Sequence, residues 1–93
     1  MAHHAHNWTF LSNHAHVLLT LVDHPDARLR DIAERVGITE RAVVSIISDL
    51  ESEHVVTRTR EGRRNRYEIH GDARLRHPVE AHVTVGQLVR LVR

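Results

Sequence analysis

Apolar residues recur at Leu29, Ile32, Ala33 and Val36, stop at Gly37, and resume at Val43, Ile46, Ile47 and Leu50. Spacings of three and four put each set on one helical face, so the pattern predicts two short amphipathic helices joined by a tight turn. Gly37 can take the left-handed conformation that ends the first helix, Ile38 supplies an apolar plug, and Thr39 is a good N-cap for the second. Ala33 is small where the two helices must cross. With Val43 and Ile46 turned inward, the outward positions of the second helix are Glu40, Arg41, Val44, Ser45, Ser48 and Asp49. That face is polar and hydrogen-bonding, with one cation near the helix N-terminus.

The flanking segments extend the pattern. Val17, Leu18, Leu21 and Val22 form an earlier helical stripe, opened by Asn13 as N-cap and stopped by Asp23-His24-Pro25-Asp26. Downstream, Val55-Val56-Thr57-Arg58-Thr59-Arg60 is β-branched and extended, Glu61-Gly62-Arg63-Arg64 reads as a turn, and Asn65-Arg66-Tyr67-Glu68-Ile69-His70 alternates again, which predicts a hairpin. Gly71-Asp72-Ala73-Arg74 breaks the pattern, and Pro78 fits the first turn of a short helix. Thr84-Val85-Gly86-Gln87 is a capping box that opens a last helix with Leu88, Leu91 and Val92 on one side. A helix of roughly ten residues is not stable alone, so those three need cover from the first helix or from a second subunit.

Ala33, Gly37, Val43 and Ile46 reproduce the small, glycine, apolar, apolar spacing of DNA-binding helix-turn-helix proteins. With the hairpin that follows, residues 9–70 resemble a winged helix-turn-helix regulator of the broad MarR and ArsR type. The resemblance implies a mainly α fold: a three-helix core, a two- or three-stranded sheet whose hairpin is the wing, and a C-terminal helical extension. It also implies a very short third strand at residues 27–30. The organisation expected is a flexible, histidine-rich segment at 1–8, the winged domain at 9–70, and an extension at 71–93 carrying a dimerisation helix. His54 stands where the family often has glycine, so the end of the second helix is not fixed by the pattern.

The function implied is that of a sequence-specific transcriptional regulator binding duplex DNA as a homodimer. Residues 39–53 then form the recognition helix, with Thr39, Glu40, Arg41, Val44, Ser45 and Ser48 toward the major groove. Of these only Arg41 can make a bidentate guanine contact, while the Val44 methyls suit a thymine methyl. Arg63 and Arg64 at the wing tip, with Arg58, Arg60 and Arg66 along its strands, are the candidates for minor groove or phosphate. Leu88, Leu91 and Val92 are the candidates for the dimer contact. The competing readings are a solvated helix face, a charged edge that only prevents strand aggregation, and a winged-helix protein-interaction module.

Composition sharpens the choice of partner. The 93 residues support one domain with a modest core, but only Trp8, Phe10 and Tyr67 are aromatic, which leaves little on which single-stranded bases can stack. Duplex DNA is favoured. Net charge is only +1, yet residues 57–66 hold five arginines against the single acid Glu61. All 13 cationic side chains are arginine; lysine is absent, which excludes a P-loop or Schiff-base lysine.

Ten histidines raise the alternative of a metal-responsive regulator. The spacing argues against it: His14 and His16 fall on opposite sides of a helix, and His77, Glu80 and His82 converge only on an irregular backbone or across a dimer. With Met1 removed, Ala2-His3-His4 suits square-planar Cu(II) or Ni(II), an incidental site. Cysteine is absent, so thiolate ligation is excluded. No catalytic constellation is present, so neither an enzyme nor a cofactor is expected, and no effector is specified. The chain start lacks a signal-peptide pattern and no apolar run spans a membrane, so a cytoplasmic protein without membrane partners is expected.

Overall fold

The computed structural model describes residues 8–93. The elements run α1 (Asn13–Asp23), α2 (Leu29–Val36), α3 (Glu40–Ser52), β1 (Val56–Glu61), β2 (Arg64–Ile69) and α4 (Val85–Val92). Three helices pack around one another and a two-stranded antiparallel hairpin leans on them, the winged helix-turn-helix that the family resemblance implies.

One core holds the molecule together. Val17, Leu18 and Leu21 from α1 meet Ile32 and Ala33 from α2 and Val43, Ile46, Ile47 and Leu50 from α3, closed by Val55, Val56, Tyr67 and Val85. Five of these are essentially inaccessible, namely Leu21, Ile32, Val17, Val43 and Val85. Each contributes about 1.5–3 kcal/mol of burial. Every α2 and α3 position that the sequence pattern assigns to the apolar face is buried or packed against this cluster.

The turn between α2 and α3 is built as the sequence indicates. Gly37 lies at φ +84, and Ile38 N–H donates to the Ala33 carbonyl at 3.1 Å, closing the end of α2. Thr39 then caps α3, its hydroxyl accepting from Ala42 N–H at 3.0 Å. The far end of α3 carries the same device without glycine. His54 sits at φ 61, its N–H donates to the Glu51 carbonyl, and Val55 N–H donates to the Leu50 carbonyl, the paired bonds of a Schellman motif.

In the wing, β1 and β2 pair from Val56↔Ile69 to Glu61↔Arg64, leaving Gly62 and Arg63 as a two-residue loop. Of these two only Gly62 has positive φ, the backbone pattern of a type II′ turn, which matches the twist of the strands. The capping box at Thr84 and Gln87 is present and opens α4.

Three local expectations are corrected. The sheet has two strands: Leu29 and Arg30 belong to α2, because Leu29 heads the apolar stripe that the helix buries. A single bond from Tyr67 N–H to the Pro25 carbonyl, 2.8 Å, stands in for the third strand. The cap of α1 is Ser12, with Asn13 already helical. Pro78 starts no helix; residues 77–82 form successive turns, with His77 Nδ1 accepting from Val79 N–H, and the segment is closed by the Arg74↔Thr84 bridge.

Candidate nucleic-acid interface

The exposed side of α3 is continuous. Thr39, Glu40, Arg41, Val44, Ser45 and Ser48 are all exposed, and Val44 keeps half its surface open although it is apolar. Arg41, Ser45 and Ser48 make no side-chain hydrogen bond or ion pair among the described residues, so their donors and acceptors face solvent. Thr39 differs, because its hydroxyl already serves the helix cap. Asp49, at the far end of this face, bonds His14 Nε2 of α1 at 2.8 Å.

The five wing arginines are not equivalent. Cross-strand pairing puts Arg58 opposite the buried Tyr67, on the inward face of the hairpin, and its Nε lies 3.3 Å from Glu51 of α3. Such a half-exposed pair is worth about 0.2–1 kcal/mol, and its clearer effect is to tie the wing to α3. Arg60 folds back on the turn, donating to the Gly62 carbonyl at 3.2 Å. Arg64 reaches the α1–α2 loop and donates to the Asp26 carbonyl at 2.7 Å, which fixes the wing tip beside the start of α2. Arg63 is exposed and unengaged among the described residues.

Arg66 is separated from the others. It shares a groove with Thr59, Glu61 and Glu68 on the outer side of the hairpin, facing the end of α1 and Arg90 of α4. Arg63 and Arg64 instead line a cleft with Glu40, the first residue of α3. The structure therefore brings Arg63 and Arg64 to the first residue of α3 and leaves Arg66 elsewhere. Arg28 and Arg30, which line the same cleft, carried no signal in the sequence beyond their charge; they became visible only once α2 began at Leu29.

The last helix has two faces. Val85 is buried in the core and Val89 packs against it, while Leu91 is 83% and Val92 47% exposed and Leu88 is half-buried. Leu88, Leu91 and Val92 thus share one side of α4, Leu91 and Val92 open to solvent and Leu88 in a groove that α1 also lines.

The histidines are dispersed. Among the described residues no three His, Asp or Glu side chains are grouped so as to hold a metal ion. Residues 1–7, and with them the Ala2-His3-His4 motif and nearly all of the segment expected to be flexible, lie outside the described residues. No described helix is long and apolar enough to cross a membrane.

Fold and exposed helix together define a winged helix-turn-helix protein. A profile of the MarR family matches residues 12–63, more than half of the chain, and the chain belongs to the MarR family. A crystal structure of the PcaV transcriptional regulator from Streptomyces coelicolor, in complex with its natural ligand, is similar in fold: TM-score 0.59 at 24% identity, over 88% of this chain. The chain spans 60% of the length of that protein. No curated protein sequence matches it.

Proposed function

We propose that this chain is a sequence-specific transcriptional regulator that binds duplex DNA as a homodimer. The observation that carries the reading is the open polar face of α3, whose first residue, Glu40, lies in the cleft that the wing-tip arginines line. A helix with unengaged donors suits base edges in the major groove, and guanidiniums beside it suit the phosphates that fix its register. Membership of the MarR family supports the same reading.

On this reading α3 enters the major groove with Arg41 reading guanine and Ser45 and Ser48 bonding bases or phosphates. Thr39 commits its hydroxyl to the cap and contributes chiefly by orienting the helix. Arg63 and Arg64 hold the backbone or minor groove, Arg60 lies beside them, Arg58 acts through Glu51, and Arg66 is peripheral. Leu88, Leu91 and Val92 supply the dimer contact, so that two recognition helices meet two half-sites.

The test is a comparison of the parent with Arg41→Ala on a preferred duplex and on point-substituted duplexes. The loss expected is roughly 1–3 kcal/mol, with relaxed preference at one position of each half-site. Equal affinity of both proteins for every duplex would remove Arg41 from base reading.

A further inference from the structure

Arg28 and Arg30 flank the first residue of α2 and are unclaimed by the fold. Both are exposed, and neither has an ion-pair or hydrogen-bond partner for its side chain among the described residues, whereas Arg58, Arg76 and Arg93 are each paired with a carboxylate. Leu29 between them turns to the core, so the residues on either side project outward. Both line the cleft of about 390 Å³ that also takes in Arg63, Arg64 and Glu40.

We propose that Arg28 and Arg30 bind the phosphodiester backbone of duplex DNA, facing Arg63 and Arg64 across this cleft. The proposal rests on the DNA-binding reading above and adds a second phosphate-binding element to it. Four arginines line the cleft with two acidic residues, Asp26 and Glu40, so its net charge favours an anion. The bond from Arg64 to the Asp26 carbonyl, two residues before Arg28, holds the two arginine pairs in a fixed relation. The first turn of α2 carries Asp31 beside Arg30, so what it offers an anion is its backbone amides. Its N-cap is Arg28, which offers no acceptor, so the first amides of the helix remain open to an anion. Guanidiniums and amides donate and do not accept, which matches phosphate oxygens rather than the mixed donor and acceptor edges of bases. Adjacency to Glu40 places the bound strand alongside α3, so the partner is duplex DNA rather than a free anion.

The experiment measures binding of the parent, Arg28→Gln/Arg30→Gln, Arg28→Lys/Arg30→Lys and Arg63→Gln/Arg64→Gln to a preferred and a scrambled duplex over a range of salt. The glutamine pair at 28 and 30 is expected to weaken both duplexes by the same factor. It should also lower the salt dependence by about 0.9 for each phosphate no longer neutralised, with the ratio between the duplexes unchanged. The lysine pair keeps the charge and is expected to restore most of the affinity, a rescue that a purely structural role would not give.

Single neutral methylphosphonate substitutions along the duplex should reveal positions that weaken the parent but not the glutamine pair. Unchanged affinity and salt slope in that pair, while Arg63→Gln/Arg64→Gln still weakens binding, would overturn this proposal and leave the DNA-binding reading intact. A parent that binds neither duplex would overturn both. Inhibition of the parent by millimolar inorganic phosphate, equal in all variants and with no methylphosphonate-sensitive position, would assign the cleft to a free anion and overturn the proposal.

Discussion

Gly37 and His54 hold nearly the same left-handed backbone at the ends of α2 and α3, with opposite consequences for substitution. A Cβ on Gly37 would meet nothing within 4 Å, so the cost of Gly37→Ala is conformational: about 1 kcal/mol, read as a lower midpoint in chemical denaturation. At His54 the strain is already present. His54→Gly relieves it, and the expected gain is about 0.5–1 kcal/mol after the added freedom of the unfolded chain is counted. Unchanged midpoints in both variants would show that neither residue is constrained. Gly37 was legible because glycine advertises a positive φ between two apolar stripes. His54 was legible only as standing where the family often has glycine, because histidine does not itself announce a positive φ, and the Leu50–Val55 closure that enforces its conformation depends on tertiary burial of both.

Among the elements, the wing and α4 divide their labour by face. Replacing Arg63 and Arg64 by Ala is expected to weaken binding to nearly all duplexes and to flatten the salt dependence by about one unit, per subunit, for each phosphate left without its cation. Arg66→Ala should change either quantity far less, because that side chain lies in the outer groove with Glu61 and Glu68. Equal effects from Arg66 and the tip pair, measured by titration at several salt concentrations, would contradict this division.

The arginine cluster was visible as charge in the sequence, but the side each residue takes was not. Only Tyr67 and Ile69 mark the inward face of β2, and the tip is aimed by Arg64 and Asp26, which are 38 residues apart in the chain. The helix α4 was legible from its capping box, yet its two faces needed the fold. Truncating it would remove Val85 from the core together with any subunit interface, so Leu91→Asp/Val92→Asp is the cleaner probe. Sedimentation should show a monomer with an unchanged fold by circular dichroism, and a variant that remains dimeric would place the interface elsewhere.

At the scale of the whole molecule, a net charge of only +1 conceals a strong asymmetry: five arginines lie in the wing segment, while acids crowd the end of α3. Asp49 and Glu51 are engaged there by His14 and Arg58, while at the start of α3 Arg28, Arg30, Arg63 and Arg64 outnumber Asp26 and Glu40 around one cleft. Binding at that end needs no metal on this reading. Treatment with a chelator is expected to leave DNA affinity and thermal stability within error, whereas stoichiometric zinc or nickel retained through gel filtration, with a large affinity change on its removal, would contradict this.

The central claim is that two copies of this domain read duplex DNA through α3. The most direct measurement is selection of bound sequences from a random duplex pool with the purified protein. Enrichment of a two-fold symmetric pair of half-sites is expected, their centres about 10 base pairs apart or a multiple of that. A bound pool indistinguishable from the input would contradict the claim.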